Sequence, residues 1–219
     1  RLSGESGEYF ARARVSFLAS ELRRRGAYRR VRRILDLGCG LGRTSRDLLE
    51  AFPCTEVVGV DPSRAMLERA RLEYPHQALS FEHRPDGVDL PRGFDLVYVA
   101  NVFHHVDRTR RASLAASIGR SLEPGGFLGF FENNPWNPGA RAVMARVPFD
   151  RDAVPLSVLE ARSLLSQAGL EVICTRSLFY FPRCLSALRW LEPSLAHLPL
   201  GAQYVVLARA PRQALARAG

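Results

Sequence analysis

The stretch Ile34 to Ser45, ILDLGCGLGRTS, packs Gly38, Gly40 and Gly42 into five positions. Glycine allows backbone to approach a ligand closely, and a loop leading from an apolar run into a helix can present bare amides at a helix N-terminus. Such a loop could hold a dinucleotide, a nucleoside triphosphate or another nucleotide-like molecule. A triphosphate loop needs a lysine after its last glycine, yet all 31 basic residues here are arginine. A dinucleotide fingerprint needs GxGxxG, and here the third glycine comes one residue early, with Arg43 in its place.

Three acids share the loop's chemistry. Asp36 lies two residues before Gly38, Asp61 closes VVGVD nineteen residues after Gly42 (61 − 42), and Asp86 opens DGVDLP. A carboxylate at Asp61 can accept both hydroxyls of a ribose, each bond contributing about 1.5–3 kcal/mol. An acid at Asp86 can accept from an adenine amino group. The plainer roles are a helix N-cap region ahead of Pro62 for Asp61 and a turn residue beside Gly87 for Asp86. Farther along, His104 and His105 follow an apolar run, and Glu132 ends another. Either histidine could remove a proton near neutral pH; Glu132 could serve as a base or orient a histidine. The plainer role for a histidine there is to anchor the loop.

These residues need elements to position them. From about Val31 strands alternate with helices: RILDLG, EVVGVD, LSFEH, FDLVYVANVF, GGFLGFFE, LEVICTRSLFYF and AQYVVLARA read as strands. RTSRDLLEAF, PSRAMLERARLEY (with proline near its first turn), RTRRASLAASIGRSL and SVLEARSLLSQAG read as helices. Alternation implies right-handed crossovers onto a mostly parallel α/β sheet. The last two strands lack an ordinary crossover helix between them, which predicts an antiparallel final strand. One domain over 1–219 is expected, with a helical cover at 1–30 and substrate-side or lid insertions at 133–155 and 181–200. In the second insertion Leu185, Leu188 and Leu191 mark a helix, packed over the sheet edge or serving as a lid, a dimer surface or an interfacial patch.

A formal net charge of +9 permits an acidic ligand or membrane surface. A nucleic-acid surface would interleave its arginines with aromatics, but the densest run, RRRGAYRRVRR, holds only Tyr28 and reads as a solvated helix end and loop. Cys39, Cys54, Cys174 and Cys184 show no CxxC spacing, so no metal is expected and a reduced cytoplasmic interior is the default. The first residue is Arg1, no signal-peptide pattern follows, and the expectation is a trimmed, soluble, cytoplasmic protein, monomeric or homodimeric.

Taken together, ILDLGCGLGRTS, VVGVDPS, DGVDLP, FDLVYVANVFHHV and LEPGG resemble, in order and spacing, the signature stretches of class I S-adenosylmethionine-dependent methyltransferases, across residues 31–169. The resemblance implies a Rossmann-like seven-stranded sheet with an antiparallel last strand. It implies S-adenosylmethionine as cofactor and S-adenosylhomocysteine as product. Asp36, Gly38, Cys39, Gly40 and Gly42 would line the methionine end, with Pro62 and Met66 also against the cofactor. Asp61 would hold the ribose, Asp86 and the Gly87 amide would read the adenine, and Asn101 would sit under the sulfonium.

The expected acceptor is a small molecule of bacterial secondary or cell-envelope metabolism, with no nucleic-acid partner. The alternatives are a noncatalytic cofactor-binding subunit and an enzyme acting on lipid-linked or macromolecular substrates. Calorimetry separates the cofactor readings: S-adenosylhomocysteine should bind tightly and NADH should not, and Asp61→Ala should weaken the former. A preference for NADH would overturn the cofactor assignment.

Overall fold

The computed structural model describes residues 4–85, 89–147 and 153–212. Strands β1 (Arg33–Leu37), β2 (Glu56–Asp61), β3 (Leu79–His83), β4 (Phe94–Ala100), β5 (Leu122–Asn133), β6 (Glu171–Leu178) and β7 (Gln203–Arg209) form one sheet in the order β3-β2-β1-β4-β5-β7-β6. Pairing is parallel from β3 through to β5, and β7 runs antiparallel to both β5 and β6. This is the seven-stranded, Rossmann-like α/β architecture expected, reversed last strand included. The chain moves outward from β1 to β3 and then returns to the other side of β1 with β4. Open α/β sheets place their ligands at that switch, outside the carboxyl ends of the strands.

Among the described residues the α-helices are α1 (Gly7–Arg24), α2 (Arg43–Ala51), α3 (Arg64–Glu73), α4 (Arg108–Ser121), α5 (Pro138–Met144), α6 (Val158–Gln167) and α7 (Glu192–Leu195). Burial on both faces explains why β4 reads as nearly continuous apolar letters. Leu96 and Tyr98 pack with Leu18 and Leu22 of α1, whereas Val97 and Val99 pack with Leu114 and Ile118 of α4 and Leu165 of α6. Helix α1 is capped by Ser6, whose hydroxyl accepts from Tyr9 N at 3.1 Å, and buries a stripe of Ala11, Val15, Leu18 and Leu22. Gly129 of β5 lets it sit close: a Cβ there would stand 2.8 Å from Leu18 Cδ2. The arginine run after α1 is solvated as expected, with Arg24 and Arg25 paired to Glu21.

Several boundaries differ from the sequence reading. Strand β4 stops at Ala100 because Asn101 turns at φ 57°, and Val102–Phe103 belong to the turn that follows. Phe179 at φ 64° likewise ends β6 after Leu178, so Phe179–Phe181 lie outside the strand. Strand β5 opens at Leu122, its register shifting at the Pro-Gly-Gly turn before it pairs steadily from Phe127. Pro62 precedes α3 without joining its first turn: Ser63 is the N-cap and accepts from Met66 N. The segment Arg183–Leu191 is a 3-10 helix broken at Leu185, with no residue buried. Its three-residue apolar spacing matches the 3-10 period, not the α period. Leu185, Leu188 and Trp190 remain 45%, 39% and 74% exposed, so this helix does not pack over the sheet edge as one reading required.

Leu18 is fully buried between α1 and the sheet. Leu18→Ala should cost about 2–5 kcal/mol of stability, measured as a lower urea midpoint with an unchanged denaturant slope.

Candidate active site

The glycine loop leaves β1 at the switch point. Gly38 and Gly42 have positive φ, 77° and 76°. A Cβ on Gly38 would fall 2.4 Å from Val102 Cγ2, and one on Gly42 would fall 2.7 Å from the Phe81 ring. No other residue type fits at either place. Four amides of the loop are used within the protein, whereas the first turn of α2, which follows Gly42, carries no side-chain cap and keeps the bare amides expected from sequence. Gly38 N and Cys39 N donate to Val60 O at 2.8 and 3.1 Å, and Gly42 N donates to Cys39 O at 2.9 Å. Gly40 N donates to Asp61 Oδ2 at 2.9 Å, while Asp61 Oδ1 accepts from Ser63 N at 2.8 Å. Pro62 and Met66 are exposed on the loop's outer side, Met66 Sδ lying 3.7 Å from where a Gly40 Cβ would be.

Asp36 is 2% exposed and accepts from Ser45 Oγ at 2.7 Å, a contact from the first turn of α2. Burial pushes its carboxyl up to about 7, against the Ser45 bond and with help from the negative charge of Asp61. Burial also pushes the Cys39 thiol up, so that side chain is a packing group and not a nucleophile. Asp86 and Gly87 lie outside the described residues.

At the ends of β4 and β5 a polar network meets α1. Gln203 Nε2 donates to Asn133 Oδ1 at 2.9 Å and, more loosely, to Asn101 Oδ1 at 3.4 Å. Gln203 Oε1 accepts from Arg14 Nη1 at 3.0 Å, and Arg14 Nε donates to the Tyr98 hydroxyl at 3.0 Å. Asn101 is further fixed by its amide, which donates to Phe131 O at 2.9 Å. The sequence reading passed over Arg14, Ser45, Tyr98, Asn133 and Gln203. For Arg14 a signal existed, since it is a charged residue on the buried stripe of α1.

The structure brings Glu132 to His104 and not to His105. His104 Nδ1 is 2.5 Å from Glu132 Oε2, and Glu132 Oε1 accepts from Phe103 N at 2.7 Å. Glu132 and His104 are buried, 0% and 2% exposed, while His105 is exposed and stacks obliquely on His104 at 4.1 Å between ring centroids.

The two inserted segments are joined over this edge. Asn134 Nδ2 donates to Pro199 O and Gly201 O, both at 2.9 Å, and Asn137 Nδ2 donates to Leu200 O at 2.7 Å. Phe179 meets Phe10 edge to face at 4.8 Å, and Arg189 pairs with Glu5 at 2.9 Å. The start of α1, the segment after β5 and the segment before β7 are therefore tied to one another near the carboxyl ends of β5 and β6.

A family model described as a methyltransferase domain matches residues 35–128, the span from the glycine loop through β5's start. The crystal structure of an S-adenosylmethionine-dependent methyltransferase from Mesorhizobium loti superposes with a TM-score of 0.60 at 25% identity, covering 81% of this chain and 90% of that one. The matched span is a methyltransferase domain, and the chain resembles S-adenosylmethionine-dependent methyltransferases over most of its length. A trans-aconitate 2-methyltransferase of Variovorax paradoxus is 28% identical over 214 residues, 89% of this methyltransferase and 82% of the relative. One from an Acidovorax species is 36% identical over 110 residues, which span half of this chain and 42% of that enzyme.

The site of this methyltransferase fits its cofactor. Asp36, buried beside the loop with its carboxyl pushed up by burial, gains from a ligand that brings positive charge. Among the described residues no group of three His, Cys, Asp or Glu could hold a metal ion, and no helix is long and apolar enough to cross a membrane.

Asp36 also predicts a pH dependence. Its folded-state carboxyl keeps its proton up to about 7, against an ordinary value of 3.8, so the folded state binds more protons between those values. Its contribution to stability is thus present below the ordinary value and is lost as pH rises through about 7. Urea melts of the ligand-free protein should show stability falling across that window, and Asp36→Asn should flatten the fall.

Proposed function

We propose that this methyltransferase modifies an oxygen of a small organic acid. The observation that carries this reading is the joining of those segments. Three distant parts of one chain are tied to one another near the end of β5 that carries Glu132, which suits a small enclosed acceptor better than a macromolecular surface. The curated relatives above, both trans-aconitate 2-methyltransferases, support an acid as the acceptor class.

When bound, S-adenosylmethionine supplies a methyl group already activated on a positively charged sulfur. The chain's own residues hold and orient. Asp61 would accept the ribose hydroxyls, Asp36 would face the methionine end with Gly38, Cys39, Gly40 and Gly42, and Pro62 and Met66 would offer apolar surface beside the loop. Asn101, held at the strand end by Gln203 and the Phe131 carbonyl, would help to orient the cofactor there. Correct placement of this kind contributes up to ~7–11 kcal/mol to lowering a barrier.

A carboxylate acceptor has no proton to lose, so it needs no base. In this reading Glu132 and His104 position the Phe103–His105 turn: both carboxylate oxygens are committed, one to the Phe103 amide and one to the imidazole. His105 lies on the exposed side of that turn.

A panel of di- and tricarboxylic acids that includes trans-aconitate, assayed for methyl ester formation by mass spectrometry, tests the acceptor class. Ester formation is expected; methylation confined to amines or phenols in a parallel panel would reject it. For the turn, Glu132→Gln and His104→Ala should lower the melting temperature and leave the shape of the pH–rate profile unchanged. A loss of ~10²-fold or more in His104→Ala or His105→Ala, with disappearance of the profile's acidic limb, would instead make that histidine a base.

A further inference from the structure

Both tryptophans of the chain, Trp136 and Trp190, stand at the surface, 53% and 74% exposed, one in each inserted segment. Leu185, Leu188, Leu198 and Leu200 of the second segment are exposed as well. Asn134 and Asn137 flank Trp136 and donate to the Pro199, Leu200 and Gly201 carbonyls, so the seam holds the two segments side by side. Apolar side chains scattered singly over a surface are ordinary, but a gathered patch marks a place of contact. The charge around this patch has one sign. Residues 133–147 and 178–202 carry Arg141, Arg146, Arg183 and Arg189 against a single carboxylate, Glu192. That carboxylate is turned inward, its Oε1 accepting from Tyr180 N and Phe181 N at 3.1 and 3.0 Å. Arg189 is paired with Glu5, whereas Arg141, Arg146 and Arg183 are exposed and pair with no carboxylate among the described residues. Indoles and leucines suit the headgroup boundary of a bilayer, and arginines beside them suit anionic lipid. A second copy of the chain fits less well. A two-fold contact lays a patch against itself and would bring these arginines face to face.

We propose that the joined segments form a docking surface for an anionic lipid bilayer. Trp136, Trp190 and the exposed leucines enter the headgroup boundary, and Arg141, Arg146 and Arg183 meet the anionic headgroups. Because the seam lies near the carboxyl ends of β5 and β6, docking turns the ligand edge of the sheet toward the membrane. The inference concerns where the enzyme sits and does not rest on the acid-acceptor reading.

Co-sedimentation with vesicles of phosphatidylcholine and phosphatidylserine, compared with phosphatidylcholine alone, tests it. The protein should pellet with the anionic vesicles, and less so as salt is raised. Its tryptophan emission should shift to the blue on binding, since both indoles lie in the patch. Trp136→Ser combined with Trp190→Ser should weaken binding about 10-fold or more, and Arg141→Gln or Arg183→Gln about fivefold each. Thermal melts check that these variants fold. A basic chain can cling to anionic vesicles through any arginine cluster, so Arg29→Gln combined with Arg30→Gln, just before the amino end of β1, is the control and should bind as wild type does. Three results would overturn the proposal: no pelleting with anionic vesicles, binding that survives the patch variants, and binding lost in the Arg29 and Arg30 control instead. A dimer on analytical ultracentrifugation that the two tryptophan substitutions dissolve, in protein that ignores vesicles, would give the surface to a second copy and overturn it equally.

Discussion

The Asp61 carboxylate accepts from Gly40 N with one oxygen and from Ser63 N with the other, joining the loop after β1 to the helix after β2. Parallel strands that end side by side leave their last amides without ladder partners, and buried amides must be paired. Here the end of β2 serves the loop after β1, through Asp61 and through the Val60 carbonyl, which takes both Gly38 N and Cys39 N. The consequences spread from this junction. Gly38 and Gly42 are forced into positive φ, Val102 and Phe81 fill the space where side chains would stand, and Asp36 is sealed beneath the loop against Ser45.

On the opposite side of β1 the same edge is organised by side chains. Tyr98, Asn101, Asn133 and Gln203 come from β4, β5 and β7 or the turns beside them, and Arg14 reaches them from α1. The antiparallel β7 matters here. Because it runs against its neighbours, its first residue, Gln203, arrives at the edge where β5 finishes. A parallel strand in that place would bring its last residue there instead.

Much of this was legible in the letters. Central strands buried on both faces show as unbroken apolar runs, the partly buried β3 and β6 show more weakly in mixed letters, and the missing crossover helix before AQYVVLARA foretold the reversal. The places that misled share one cause: the backbone changed course where side-chain character did not. Val102 and Phe103 continue the apolar run of β4 after Asn101 has already turned the chain, and Phe179 is as strand-like as Leu178. In Arg183–Leu191 a spacing of three was read as one face of an α-helix, when it belonged to a tighter helix at the surface. Asp36, Asp61, His104 and Glu132 were identified from spacing, but the exclusive pairing of Glu132 with His104 was not, because adjacent histidines on a 3-10 turn face different ways. The role of NNPWNP was hidden for another reason. Most of its partners are main-chain carbonyls more than sixty residues away, at Pro199, Leu200 and Gly201, and carbonyls carry no letter.

That last feature bears on how the molecule can diversify. A seam sewn by asparagine amides onto peptide carbonyls recognises the path of the second segment and is indifferent to most of its side chains. Leu185, Leu188, Trp190, Leu198 and Leu200 project from that segment, outside those stitches. They can be exchanged while the closure persists, provided the backbone keeps its course. The path of this segment and the character of its surface are thus set by different parts of it, the one by its main chain and the other by side chains that the stitches do not use.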